Sequence, residues 1–172
     1  MAVDIFLKID GIQGESKDES HQNEIEVLSW SWGESQVGSA ALGGGLGAGK
    51  VSMQDFNFTM YTGKATAKLM QACATGEHIS EANLSVRKAG GKPYDYLKIK
   101  FTDLLVTSYQ TGGSGEIPIE SCSFNFTKVK VEYFEQDNKG KVANAGTFQY
   151  DLKKNTAAER CGADLRFTPG PR

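Results

Sequence analysis

Apolar side chains return at every second position along most of this chain, and that period commits it to β-strands. Val3, Ile5, Leu7 and Ile9 share one side of the first segment, with Asp4 and Lys8 on the other. Phe56, Phe58 and Met60 share a face within 51–61. Leu84 and Val86 do so within 83–88, and Phe148, Tyr150 and Leu152 mark a last strand. Residues 94–101 alternate Leu97, Ile99 and Phe101 against Tyr96, Lys98 and Lys100, and 104–109 continue after a slip of phase. Within 117–135 the apolar set is Cys122, Phe124 and Phe126, then Val129, Val131 and Tyr133, again with a slip. A strand that changes phase carries a bulge or passes from one sheet to another. About eight strands with repeated slips predict a mainly β fold, either a closed barrel or two packed sheets that share strands.

Residues 24–35 read as one further strand, with Leu28, Trp30 and Trp32 on one face and Ser29 and Ser31 on the other. Ile25 and Val27 sit in the serine phase, so the chain changes sheet or bulges here. The serine face is small and polar, which suits water or weak contact with many partners. The one helix falls at 64–75, where Ala65, Leu69, Ala72 and Cys73 form a stripe opposite Lys64, Lys68, Gln71 and Thr75. Gly76 is placed to end it in the left-handed conformation. A single amphipathic helix among strands lies against the outside of a sheet.

A chain of 172 residues fits one domain and folds without a metal or disulfide staple. Nineteen Lys and Arg against 21 Asp and Glu leave a net charge of −2, which gives no electrostatic case for nucleic acid or for an acidic membrane. Cys73, Cys122 and Cys161 form no C-x-x-C pair and read as thiols. His21 and His78 read as turn or surface residues. The first ten residues read as a strand rather than a leader, and no run of about 18 apolar residues predicts membrane insertion. Synthesis in the cytoplasm follows.

The segment 38–50 holds six glycines. Its end, Gly44 to Lys50, fits G-x-x-x-x-G-K, but Val51 stands where a phosphate loop needs a hydroxyl for Mg²⁺. Such a loop also opens a helix, and 51–61 reads as strand. No G-x-S-x-G or H-E-x-x-H is present. The residues therefore point away from an enzyme and from any cofactor.

Several stretches carry a resemblance. They are GESKDESHQNEIEVLSWSWGESQ (14–36), the glycine segment ending in Gly49, Lys50 and Val51, KATAKLMQACATGEHI (64–79), VRKAGG (86–91), YLKIKFTDLLVTSYQTGGSG (96–115) and FTKVKVEY (126–133). In order and over residues 1–155, they resemble the Hcp (haemolysin-coregulated protein) family, the tube protein of the bacterial type VI secretion system. The resemblance implies a two-sheet β-barrel with one flanking helix, closing as a homohexamer whose rings stack. It implies a contractile sheath and a tip spike as partners, effectors carried in the lumen, and export without a cleaved signal peptide. The loop carrying Gly38, Leu42, Gly43, Gly44, Gly45, Leu46, Gly47, Gly49 and Lys50 would contact the next ring. Ser29 and Ser31 would face the lumen. Residues 156–172 lie beyond the family pattern and read as a mobile tail. Two alternatives remain: a monomeric β-barrel that binds a small ligand, separable by light scattering, and a nucleotide hydrolase acting through Lys50, separable by a thermal shift with ATP and Mg²⁺.

Overall fold

The computed structural model describes residues 3–36, 50–88, 93–115, 117–137 and 139–157. Among these residues, eleven strands and one helix run in the order β1 (Val3–Ile9), β2 (Ile25–Glu26), β3 (Ser29–Ser31), β4 (Glu34–Ser35), β5 (Ser52–Met53), β6 (Phe56–Tyr61), α1 (Thr66–Thr75), β7 (His78–Lys88), β8 (Tyr94–Gly112), β9 (Ile119–Gln136), β10 (Val142–Asp151) and β11 (Thr156–Ala157). Of the sequence reading's final segment, Thr156 and Ala157 pair with β10, and residues 158–172 lie outside the described residues.

The main sheet runs β11-β10-β9-β8-β7-β1-β2, with β3 and β6 branching from β9, while β4 and β5 pair separately. Every pairing is antiparallel. The branch arises because β9 offers one edge to β8 along 119–133 and splits the other, with β6 along 119–124 and β10 along 128–136. The expected closed barrel is not formed. β2 pairs only Phe6 and Leu7 of β1, and β3 pairs only β6, so no ladder joins the two ends of the sheet among the described residues.

The phase slips fall on one line. The buried residues flanking it are Ile79 and Ala82 in β7, Phe101 and Leu104 in β8, and Phe126 and Val129 in β9. These positions pair across the three strands, and Asp103, at the line, has φ +53°, a conformation that few side chains other than Asp and Asn adopt readily. The line divides the sheet into a short half (β3, β6, 119–126 of β9 and 104–112 of β8) and a long half (β1, 82–88 of β7, 94–101 of β8, 129–136 of β9 and β10), and both close on one core. Phe56 of the short half meets Phe101 of the long half at 4.8 Å between ring centroids, and Phe124 meets Phe101 at 5.1 Å. Aromatic pairs at such spacing add to the large area each ring buries.

Residues 24–35 form three short strands instead of one. Ile25 and Val27 are buried, but Leu28 is 41% exposed and does not join the indoles. The amide of Val27 donates to Ile5 and that of Leu28 to Thr59. The chain thus leaves the edge of β1 and reaches the edge of β6 between two residues, passing from one end of the main sheet to its branch rather than to a second sheet.

β7 starts at His78, before the alternation is visible. β8 runs unbroken through its slip, and β10 begins six residues before Phe148. The turn that precedes the helix is held by the Thr66 hydroxyl, which accepts the Gly63 amide, and by Glu15, which accepts the Lys64 amide. Gly76 closes it at φ 66°, donating to Ala72.

His21 is not a surface residue. It is 6% exposed and lies flat on Phe6, at 4.4 Å and 8°. Its Nδ1 is 2.8 Å from Glu24 and its Nε2 is 3.1 Å from Asp95. Arg87 bridges Asp18 at 2.8 Å and Asp95 at 3.2 Å. Burial opposes the charge of Asp95, yet hydrogen bonds from His21 and Lys98 outweigh it and hold the carboxyl below its ordinary range. This network ties the polar loop 11–24 to the long half of the sheet. His78 is exposed and bonds Asp103 at 2.9 Å.

Candidate functional site

The outer surface of the short half is chemically uniform. Directly paired residues in antiparallel strands share a face, so two rows cross β3, β6, β9 and β8. One row is Ser31, Asn57, Ser123 and Ser108; the next is Ser29, Thr59, Ser121 and Gln110. All eight side chains are uncharged and polar. The inner side of the same strands holds Trp30, Phe58, Cys122 and Tyr109 in one row, with Phe58 and Cys122 buried and Trp30 and Tyr109 packed against the core. The face ends in an apolar step, where Tyr61 pairs Ile119 and both are exposed.

Ser29 and Ser31 therefore lie where the alternation placed them, exposed and opposite Trp30. The hydroxyl of Ser29 is 2.7 Å from that of Thr59. The sequence reading missed the other six residues. Their signal was the same alternation: Asn57 and Thr59 against Phe56, Phe58 and Met60, and Ser121 and Ser123 against Cys122 and Phe124.

One end of the face is tied to a carboxylate. Asp55 accepts the Thr107 hydroxyl at 2.7 Å and the Asn125 amide at 2.7 Å. The Ser123 hydroxyl is 2.8 Å from that of Thr107 and 2.6 Å from that of Ser108. A shift of register between Val106 and Ser108 turns both Thr107 and Ser108 toward Ser123, and a bulge is the usual device for re-aiming a side chain.

Beneath the face, Glu120 is fully buried and accepts the Thr66 hydroxyl at 2.8 Å. Burial, with Glu120 nearby, pushes Tyr109 up to about 12. Burial also pushes the Cys122 thiol up to about 12, with Glu120 and Cys73 adding to it, so this thiol is inert at neutral pH. Among the described residues no three His, Cys, Asp or Glu side chains are grouped to hold a metal ion.

The glycine segment's Gly38, Leu42, Gly43, Gly44, Gly45, Leu46, Gly47 and Gly49 lie outside the described residues. Lys50 is exposed, and the chain after it enters β5, not a helix. The ladder of Glu34 with Met53 and Ser35 with Ser52 holds the two ends of the segment together. Among the described residues no helix is long and apolar enough to cross a membrane.

Comparison with known proteins places this fold. The family model described as "Type VI secretion system effector, Hcp" matches residues 6–133. The protein hcp1 of Pseudomonas aeruginosa is 46% identical over 163 residues, covering 92% of this chain and all of that protein. The crystal structure of Hcp1 from Salmonella typhimurium superposes with a TM-score of 0.74 at 40% identity, over 92% of this chain and all of the other. A structure described as a type six secretion system protein superposes with a TM-score of 0.85 at 31% identity, over 91% and 100%. A type VI secretion system effector from Yersinia pestis gives 0.70 at 40%, over 86% and 99%. With about three quarters of its length matched by the family model and nearly all of it shared with these relatives, the chain belongs to the Hcp family, the tube proteins of the type VI secretion system.

Proposed function

We propose that six copies of this chain close head to tail into a hollow ring, that rings stack into a tube, and that the polar face of the short half lines the lumen. The observation that carries the reading is the open half-sheet β3-β6-β9-β8. Its two outer strands leave backbone groups unpaired among the described residues, along Ser29–Ser31 on one side and beyond Leu105 of β8 on the other. An unpaired strand edge is a template for another strand. Two unlike edges on one subunit make a heterologous contact, which closes a ring when the rotation per copy divides the circle. Joined in this way, the half-sheets of successive copies form one continuous wall with Ser29, Ser31 and their neighbours on its inner surface. Such a wall of hydroxyls and amides binds water and forms weak contacts, which suits passage of varied effectors.

In this reading the glycine segment, from Gly38 to Lys50, contacts the next ring. Ordering it costs about 1–2 kcal/mol per residue, so stacks of free rings are weak and are held by a surrounding contractile sheath and a spike at the tip. Export with the tube requires no cleaved leader. Negative-stain images of the purified protein test the reading. Round particles with a central hole support it, and compact particles without one refute it.

A further inference from the structure

The network around Asp55 has a fixed direction. A carboxylate accepts and does not donate, and a hydroxyl has one hydrogen to give. Thr107 spends its hydrogen on Asp55. The 2.8 Å contact between Thr107 and Ser123 must then use the hydrogen of Ser123. The 2.6 Å contact between Ser123 and Ser108 must in turn use the hydrogen of Ser108. The chain runs Ser108 to Ser123 to Thr107 to Asp55, and each bond polarises the next. Ser123 is 5% exposed, whereas Ser108 is only partly covered. What the chain presents at its open end is the lone pairs of the Ser108 oxygen. By contrast, the Ser29 and Thr59 pair touches no carboxylate, and either hydroxyl can donate.

We infer that Asp55 sets Ser108 as a hydrogen-bond acceptor on the polar face, so that this end of the face selects cargo groups that donate: guanidinium, ammonium or amide N–H. The inference rests on reading this face as the cargo-facing wall. Asp55 adds to it, since the two rows carry no charged side chain and its carboxylate supplies the full charge bonded to them. Asp55, Thr107 and Ser123 act through Ser108 and are positioning residues; Ser108 makes the contact.

The test uses two fluorescein-labelled peptides of equal length, glycine-serine repeats with either arginine or glutamate at every third position. Anisotropy measures their binding, and light scattering reads the assembly state of the same samples. The wild-type protein binds the arginine peptide about tenfold more tightly, the worth of about one charge-assisted hydrogen bond. Ser108→Ala removes the acceptor. Thr107→Val frees the Ser123 hydrogen, so that Ser108 can turn and donate. Neither changes the net charge, so general attraction of cations is the same in all three proteins. Both variants should bring the ratio below about threefold. A ratio that stays near tenfold in both variants, or equal binding of the two peptides by wild type, overturns the inference. A single-chain mass with the preference present and lost in Ser108→Ala would instead overturn the ring and leave the selection of donors standing.

Discussion

The two halves of β9 follow the same period and meet different surroundings. Along 119–124 the strand is paired on both edges, by β6 and β8, and the inward Cys122, Phe124 and Phe126 of this half are buried. Along 129–133 it is again paired on both edges, by β8 and β10, yet only Val129 is fully buried and Tyr133 is exposed. β10 is exposed from Val142 to Gln149, with Phe148 stacked on Tyr150 at its surface. Alternation says which side of a strand is apolar. It does not say what covers that side. In the first half another layer of the same chain does so. In the second half the described residues supply no such layer, and in the proposed ring a neighbouring copy supplies it.

The largest expected effect lies in the covered half. Phe124→Ala should cost on the order of 3–5 kcal/mol in denaturant unfolding, the usual price of emptying an aromatic site in a packed core. A loss under about 1 kcal/mol would mean that the two halves do not share a core. Thr66→Val comes next. It takes the hydroxyl from buried Glu120, whose other oxygen has no partner among the described residues, and should cost about 1–3 kcal/mol. Unchanged stability would show that Glu120 does not depend on α1.

Phe148→Ser sharpens the contrast. On the single chain it should change stability by no more than about 0.5 kcal/mol, as at other exposed positions. It should nevertheless raise the concentration needed for assembly about tenfold or more, read by sedimentation. A loss as large as that of Phe124→Ala would make β10 part of the core. The smallest effect concerns the fold line. The hydrogen bond from Lys153, then that from His78, lowers the Asp103 carboxyl to about 2. A folded value below the unfolded one, near 4, contributes stability above about pH 4 that disappears as pH falls toward 2. Asp103→Asn should therefore lower the urea midpoint slightly at pH 7 and match wild type near pH 2. An equal deficit at both pH values would show that the charge is not the cause, since Asn adopts the φ of +53° as readily as Asp.

How legible these features were in the sequence follows from their range. Phe56, Phe58 and Met60 gave their face directly, and Gly76 gave the helix end, because both signals are local. The slips at Phe101–Leu104 and Phe126–Val129 were visible one strand at a time, but their alignment on one line depends on register, which sequence does not state. The open sheet was missed for the same reason, since closure depends on how far β2 extends along β1. His21 looked like a surface residue because Asp95 and Arg87, more than sixty positions away, are what bury it. Of the polar face, Ser29 and Ser31 stood out only because two tryptophans flanked them. Asn57, Thr59, Ser121 and Ser123 carried the same pattern against phenylalanines and were read as core strands alone.

In the proposed ring, unlike strand edges of one copy complete another. Sedimentation equilibrium of the full chain over a range of concentrations measures this most directly. A species with the mass of six chains is expected, falling to single chains only at the lowest concentrations. A single-chain mass throughout, or a series of open oligomers with no preferred size, would contradict it.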